Sequence, residues 1–231
     1  MSKNIAYFLL FVLVPFFGFT QDESFRTWTS LGVKKNINNW EFSTEAEIRK
    51  AGFYEKTLRS SLGFAAYYDI SKVIEVGPAY TLINFYDSKY DDYQIRHRFD
   101  FAVTGKIKIE RFSFRLRQQL EYTKKDESDR IRDNGRIDTY RINPELLWRN
   151  RLKISYNVKN TPLTPAIAAE SFYQLNNPDG NIFEKFRYTM SLSYKVAKQH
   201  EFQLFSIINQ DRADSDSQTE YVLGLGYTFD F

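Results

Sequence analysis

Apolar and polar residues alternate with period two through almost every block of this chain, and past the first 20 residues no apolar run is long enough to cross a membrane as a helix. A strand sends successive side chains to opposite faces, so this pattern builds two-faced strands. Residues 40–49 show it most clearly: Trp40, Phe42, Thr44, Ala46 and Ile48 share one face, and Glu41, Ser43, Glu45, Glu47 and Arg49 share the other. Residues 112–122 repeat it, with Phe112, Phe114, Leu116, Leu120 and Tyr122 alternating against Ser113, Arg115, Arg117, Gln119 and Glu121. Such segments match the roughly 9–11 residues of a tilted membrane strand.

Composition points the same way. Aromatic residues make up 17% of the 231 positions, with 21 Phe and 16 Tyr, yet the mean hydropathy of −0.50 is that of a soluble protein. A barrel wall reconciles the two, because its outer face is apolar toward lipid and its inner face polar toward the lumen. The expectation is an all-β fold, a transmembrane antiparallel up-and-down β-barrel of about 10–12 strands.

Further strands fall at about 25–34, 56–69, 73–86, 93–106, 140–160, 164–175, 183–196, 201–210 and 219–231. With the two above they make eleven, at odds with the even counts usual for single-chain bacterial barrels. Residues 140–160 are long for one crossing; a hairpin turning near Asn150 would give twelve strands, and a first segment outside the wall would give ten. Short links at 69–72 and 197–200 contrast with longer polar ones at 87–92, 124–136, 176–181 and 211–218, as in barrels with short periplasmic turns and long external loops.

The N-terminus carries Lys3, an apolar run over residues 5–19 interrupted by Pro15, and then Gly18, Thr20 and the acidic pair Asp22-Glu23. This reads as a signal peptide over residues 1–20, removed after Thr20, followed by a single outer-membrane barrel domain over 21–231. The formal net charge is only +3, from 32 basic and 29 acidic residues that are interleaved along the chain, which argues against a nucleic-acid partner. With no cysteine, disulfides, thiolate metal sites, cysteine nucleophiles and an N-terminal lipid on cysteine are excluded.

The last eleven residues are the most specific feature. Tyr221, Leu223, Leu225, Tyr227, Phe229 and Phe231 alternate with Val222, Gly224, Gly226, Thr228 and Asp230, and the chain ends on Phe. This strand resembles the C-terminal assembly signal that the barrel-insertion machinery recognises in outer-membrane barrels.

The order of pieces resembles the outer-membrane family catalogued as domain of unknown function 2490. The resemblance spans nearly all of the mature chain. It rests on Trp28, then Trp40 leading into Glu45-Ala46-Glu47-Ile48-Arg49, then Arg96-His97-Arg98, Arg115-Leu116-Arg117-Gln118-Gln119, Glu170-Ser171-Phe172 and the closing Gly-rich aromatic strand. Membership implies an outer-membrane barrel and no established activity.

The recurring chemical feature is charge on the inward face: Glu45, Glu47 and Arg49, then Arg96, Arg98 and Asp100, then Arg115, Arg117 and Glu121. Residues 93–106 and 112–122 should pair antiparallel across their short turn, so opposite charges could cross-link the lumen. The favoured reading is a salt-bridged, charge-filled lumen in a structural, non-enzymatic barrel. The alternative is a small porin-like channel for polar or anionic solutes.

A membrane-embedded lipid hydrolase is the third reading, since His97 invites comparison with the outer-membrane phospholipase, whose barrel wall carries a His and a Ser two residues apart. Here that position is Phe99, so no nucleophile stands at the right spacing. His200 falls in a predicted turn. Two isolated histidines make no zinc site, and the carboxylates at Asp126, Glu127, Asp129, Asp211, Asp214 and Asp216 lack the spacing of a calcium loop. No cofactor is expected, no catalytic residue is assigned, and the small-molecule ligand, if any, is unspecified. The expected partners are the lipid bilayer of the outer membrane and the barrel-assembly machinery during biogenesis.

Overall fold

The computed structural model describes residues 24–53, 55–212 and 218–231. The expected signal peptide, and Asp214 and Asp216, lie outside them. Eleven strands follow one another: β1 (Ser24–Ile37), β2 (Trp40–Ala51), β3 (Thr57–Asp69), β4 (Ile74–Asp87), β5 (Asp92–Ile109), β6 (Phe112–Lys125), β7 (Glu145–Tyr156), β8 (Leu163–Gln174), β9 (Ile182–Lys195), β10 (His200–Asp211) and β11 (Thr219–Asp230). They form one closed barrel in which each strand pairs antiparallel with its neighbours in sequence.

The barrel closes between β1 and β11, and that pair is parallel: Phe25 stands opposite Tyr221 and Val33 opposite Phe229. Parity requires this, because in a meander of eleven strands the first and last run the same way. The eleven segments are therefore all real, and both routes to an even number are corrected. The first segment is a wall strand. Residues 140–144 belong to the preceding loop, and Asn150 sits mid-strand in β7, opposite Gln118 on one side and Ser171 on the other. His200, expected in a turn, opens β10 opposite Phe229.

The connections differ between the two ends. At one end the links are 38–39, 70–73, 110–111, 157–162 and 196–199; at the other they are 52–56, 88–91, 126–144, 175–181 and 212–218. The two-residue links need a left-handed backbone, and Asn38 and Glu110 supply it with φ of 55° and 51°.

Around the outside runs a band of exposed apolar side chains, including Leu31, Phe64, Phe101, Leu116, Leu152, Ile167 and Leu225. Aromatic pairs border it at both ends. Near the short turns Trp40 packs on Tyr68, Phe112 on Tyr156 and Phe202 on Tyr227, with ring centroids 4.9, 4.9 and 5.0 Å apart. Toward the long loops Phe25 meets Phe53 at 4.8 Å, Tyr86 meets Tyr93 at 5.5 Å and Tyr173 meets Phe183 at 4.9 Å. The alternation in sequence thus sorts into an apolar exterior and a polar lumen.

The parallel seam is directly testable in a chain without cysteine. The pairs Phe25→Cys/Tyr221→Cys and Val33→Cys/Phe229→Cys should each cross-link on mild oxidation, whereas Phe25→Cys/Phe229→Cys should not. Cross-linking of the last pair alone would mean an antiparallel closure and an even strand count.

Candidate functional site

Register decides which side chains share the lumen. Glu41, Glu45, Glu47 and Arg49 of β2 point inward, as do Arg96, Arg98 and Asp100 of β5 and Arg115, Arg117 and Glu121 of β6. The direct partners across β5 and β6 are not opposite charges: Asp100 faces Glu121, Arg98 faces Thr123 and Arg96 faces Lys125. The ionic links therefore run diagonally and across the barrel.

At mid-height they converge on Glu121 and Glu170, which are 2% and 5% exposed. Arg98 Nε lies 3.0 Å from Glu121. The Arg149 guanidinium bridges the two carboxylates, at 2.5 Å from Glu121 and 2.9 Å from Glu170. Arg117 reaches Glu170 at 3.0 Å, and Arg187 approaches it at 3.9 Å. Five strands, β5 to β9, are tied together by this one cluster.

The other predicted residues divide. Glu47 holds Arg49 at 2.7 Å, with Arg59 at 3.8 Å. Asp100 accepts a hydrogen bond of 2.7 Å from the Gln119 amide. Arg115 joins Glu75 at 3.1 Å, nearer the short turns, where Lys106 is also bonded to Glu75. Arg96 lies 3.6 Å from the centre of the Phe85 ring and donates to the Tyr140 hydroxyl at 3.4 Å. Glu45 makes no ion pair among the described residues. Sequence reasoning missed Arg59, Glu75, Arg149, Glu170 and Arg187. The alternating inward set Glu145, Leu147, Arg149, Arg151 and Lys153 was the signal available for β7, but it was spread over a segment read as a possible hairpin.

Opposite the ionic cluster the lumen is filled by apolar side chains. Trp28, Ile207 and Val222 are buried against one another, with Phe205 packed on them. The Phe205 ring lies flat over Gly224, where an added Cβ would fall 2.1 Å from ring carbons. Arg49 stands over the Trp28 ring at 3.6 Å and Arg187 at 5.2 Å, joining the apolar and ionic halves. On either side of this filling a chamber remains. The larger, about 450 Å³, lies toward the long loops and includes Arg59, Arg98, Glu121 and Arg149 in its wall. The smaller, about 210 Å³, is bounded by Glu41, Glu75, Arg115, Arg117 and Lys153.

The longest loop, 126–144, is folded and docks on the barrel mouth. Buried Arg130 pairs with Asp87 and Asp138, and its guanidinium lies 3.8 Å from the Tyr140 ring centre. The Tyr140 hydroxyl bonds Gln94 at 2.5 Å and Asp87 at 3.1 Å. Asp138 also takes Lys89 at 2.6 Å, Tyr90 at 2.7 Å and Arg132. These donors hold the Asp138 carboxyl far below the usual aspartate range, chiefly through the hydrogen bonds from Lys89, Tyr90 and Arg132.

Both histidines meet a tyrosine hydroxyl. His97 faces outward, with its Nδ1 2.8 Å from the Tyr80 hydroxyl, and His200 pairs with the Tyr227 hydroxyl at 2.8 Å. Asp126 accepts from the Ser128 backbone at 3.0 Å, and no group of three or more metal-ligating side chains occurs among the described residues. Tyr221, Leu223, Leu225, Tyr227, Phe229 and Phe231 lie on the outer face of the closing strand, and Phe229 and Phe231 stack at 5.8 Å.

The class is therefore a closed β-barrel with an apolar exterior and a charge-filled interior. The chain belongs to the family described as "Protein of unknown function (DUF2490)", whose profile matches residues 25–220. Among solved structures it is similar to the NanC porin in a rhombohedral crystal form, at TM-score 0.56 and 12% identity, over 90% of this chain and 97% of that one. That likeness establishes a shared barrel fold. No curated protein matches the chain.

Two outcomes test this geometry. Glu121→Gln leaves Arg98 without an ion pair among the described residues and Arg149 with Glu170 alone, and should lower the unfolding free energy by about 3–5 kcal/mol, whereas Glu121→Leu/Arg98→Met should recover much of that loss. Urea titration of the folded barrel would check it; a double variant as weak as the single one counts against the ion cluster.

The loop gives the second outcome. A carboxyl with a depressed folded-state pKa stabilises fully above its ordinary value, 3.8 for aspartate, and loses that contribution progressively as pH falls from there through the depressed value. Hydrogen exchange in residues 126–144, corrected for the intrinsic rate, should show equal protection at pH 6 and pH 4. Asp138→Asn should abolish it at both. Loss of protection in the wild type between these pH values would contradict the latch.

Proposed function

We propose that this protein is an integral outer-membrane barrel, non-enzymatic, whose lumen is divided by an ionic and aromatic septum and so does not act as a free-diffusion pore. The exterior band bordered by aromatic pairs matches the lipid-facing surface of such barrels. An outer-membrane location also agrees with the leader-like N-terminus and with the alternating last strand, whose outward Phe, Tyr and Leu fit an assembly signal. The long loops would then be external and the short turns periplasmic.

The observation that carries the reading is the septum itself. Glu121, Arg149, Glu170 and Arg117 link β6, β7 and β8, while Trp28 and Phe205 fill the facing wall, and a separate chamber lies on each side. Charges placed in a narrow lumen with little water need partners, and here they find one another.

Refolded protein should show a boiling-dependent gel shift and no steady ohmic conductance in planar bilayers. Glu121→Ala/Arg149→Ala/Glu170→Ala should raise conductance while keeping the shift. A large steady conductance in the wild type would replace this reading with that of an open channel, and loss of the gel shift would remove the barrel itself.

A further inference from the structure

The loop-side chamber carries more positive charge than the protein neutralises. Among the described residues nine Lys or Arg side chains and five carboxylates line it. Its rim includes Lys125, Glu145, Asp211 and Glu220, which stand at or next to the loop-side ends of their strands. Its floor is arginine.

In the wall above it Arg49 and Arg59, each two residues from the loop-side end of its strand, are direct cross-strand partners, an arrangement of like charges that is unfavourable by itself. They share one carboxylate, Glu47, at 2.7 and 3.8 Å. Arg187 joins them over Trp28, and its nearest carboxylate is Glu170 at 3.9 Å, already held at shorter range by Arg117 and Arg149. These three guanidiniums thus have one close carboxylate and the fringe of a second; Arg187 also donates to Asn209 at 2.8 Å, and Glu45, inward on β2, makes no ion pair with them. Inside a low-dielectric wall an uncompensated cation is costly unless an anion joins it. Unused donors add to this: Trp28 Nε1 and Arg59 Nε are buried and have no hydrogen-bond partner.

We infer that this chamber is a binding site for a small organic anion, a molecule with one carboxylate or phosphate group on an apolar or planar body. The anionic group is received by Arg49, Arg59 and Arg187, for which planar carboxylate and phosphate oxygens are matched acceptors. The body rests against Trp28, Phe85 and Phe172, which are also in the wall. A volume of about 450 Å³ falls within the range of small-molecule sites, roughly 300–1,000 Å³. The rim is mixed in charge, with Glu145 paired to Lys125 at 3.5 Å and Asp211 among its carboxylates, and the chamber volume admits only a small anion. The inference rests on the barrel and septum reading, since the septum forms the chamber floor.

Of the three tryptophans, Trp40 and Trp148 face outward, so Trp40→Phe/Trp148→Phe leaves Trp28 as the sole indole reporter. Refolded in detergent micelles, this protein should give a saturable fluorescence change with benzoate or phenyl phosphate, and none with benzamide. Inorganic phosphate shows whether the charged group suffices alone, and the ratio of the benzoate and phenyl phosphate affinities distinguishes a carboxylate site from a phosphate site. Replacing one charged donor by Arg59→Gln should weaken the apparent affinity about tenfold or more. Should that variant lose the boiling-dependent shift, Arg59→Lys in the same background keeps charge and fold but loses the fork, and should still weaken binding.

A response to benzamide equal to that of benzoate overturns the inference, as does an affinity unchanged in both Arg59 variants. So does the absence of any saturable change up to about 10 mM, a limit about tenfold weaker than millimolar binding. The gel shift of the same samples reports the barrel independently, so a silent site in a shifted barrel sinks the anion site and leaves the barrel standing.

Discussion

A closed sheet leaves no unpaired backbone edge, and every other feature of this molecule follows from closing it. Once the strands close, the period-two alternation becomes a difference between inside and outside. An outer face with an apolar band can be continuous because no loop or edge interrupts it. The inner face of eleven strands encloses a space narrow enough for side chains from facing walls to meet. Charged residues placed there have two choices, to find partners or to take them from solvent, and the septum shows which was adopted at mid-height.

The septum also explains why the lumen is uneven. Glu121 and Glu170 gather four arginines at 3.9 Å or less, which leaves the cations above them short of acceptors. The same filling that blocks the barrel therefore creates a positive surface facing the long loops. Asp138 of loop 126–144 does not neutralise it, because that carboxylate is engaged by Lys89, Arg130 and Arg132 at the rim. Structural closure and an anion-seeking chamber are thus two consequences of one distribution of charge.

How much of this was legible depends on distance along the chain. The faces of residues 40–49 and 112–122 are local patterns, and they read correctly because alternation is a property of neighbours. Strand count was also legible, although the even-number habit of bacterial barrels argued against the true value. Partner choice was legible only in part. Of the neutralisation expected between Arg96, Arg98, Asp100 and Arg115, Arg117, Glu121 across one hairpin, Arg98 meets Glu121 at 3.0 Å on the diagonal, but the register sets Asp100 against Glu121 and sends Arg117 to Glu170, 53 residues away. Loop 126–144 reads as a solvated charge run for the same reason, since the Asp87 that anchors Arg130 lies 43 residues earlier. Salt-bridge partners across a lumen follow from tilt and stagger of the whole barrel, which no local pattern records.

The seam between β1 and β11 brings together the most distant parts of the chain, and its inner face is built differently from the rest. A parallel pair is slightly less stable per residue than an antiparallel one, and joining segments so far apart in sequence carries a large loop-closure entropy. At the loop end Arg26 ties to Glu220 at 2.5 Å, at the other Lys34 ties to Asp230 at 3.2 Å, and the Phe231 amide donates to the Lys34 carbonyl at 3.1 Å. Between these clamps the lumen face carries an apolar cluster, Trp28, Val222 and Ile207 with Phe205 over Gly224. Burial of apolar surface needs no matched partner geometry, whereas an ion pair does. Placing the apolar filling at the seam and the ionic filling on the facing wall lets the two ends of the chain meet on the more tolerant interaction.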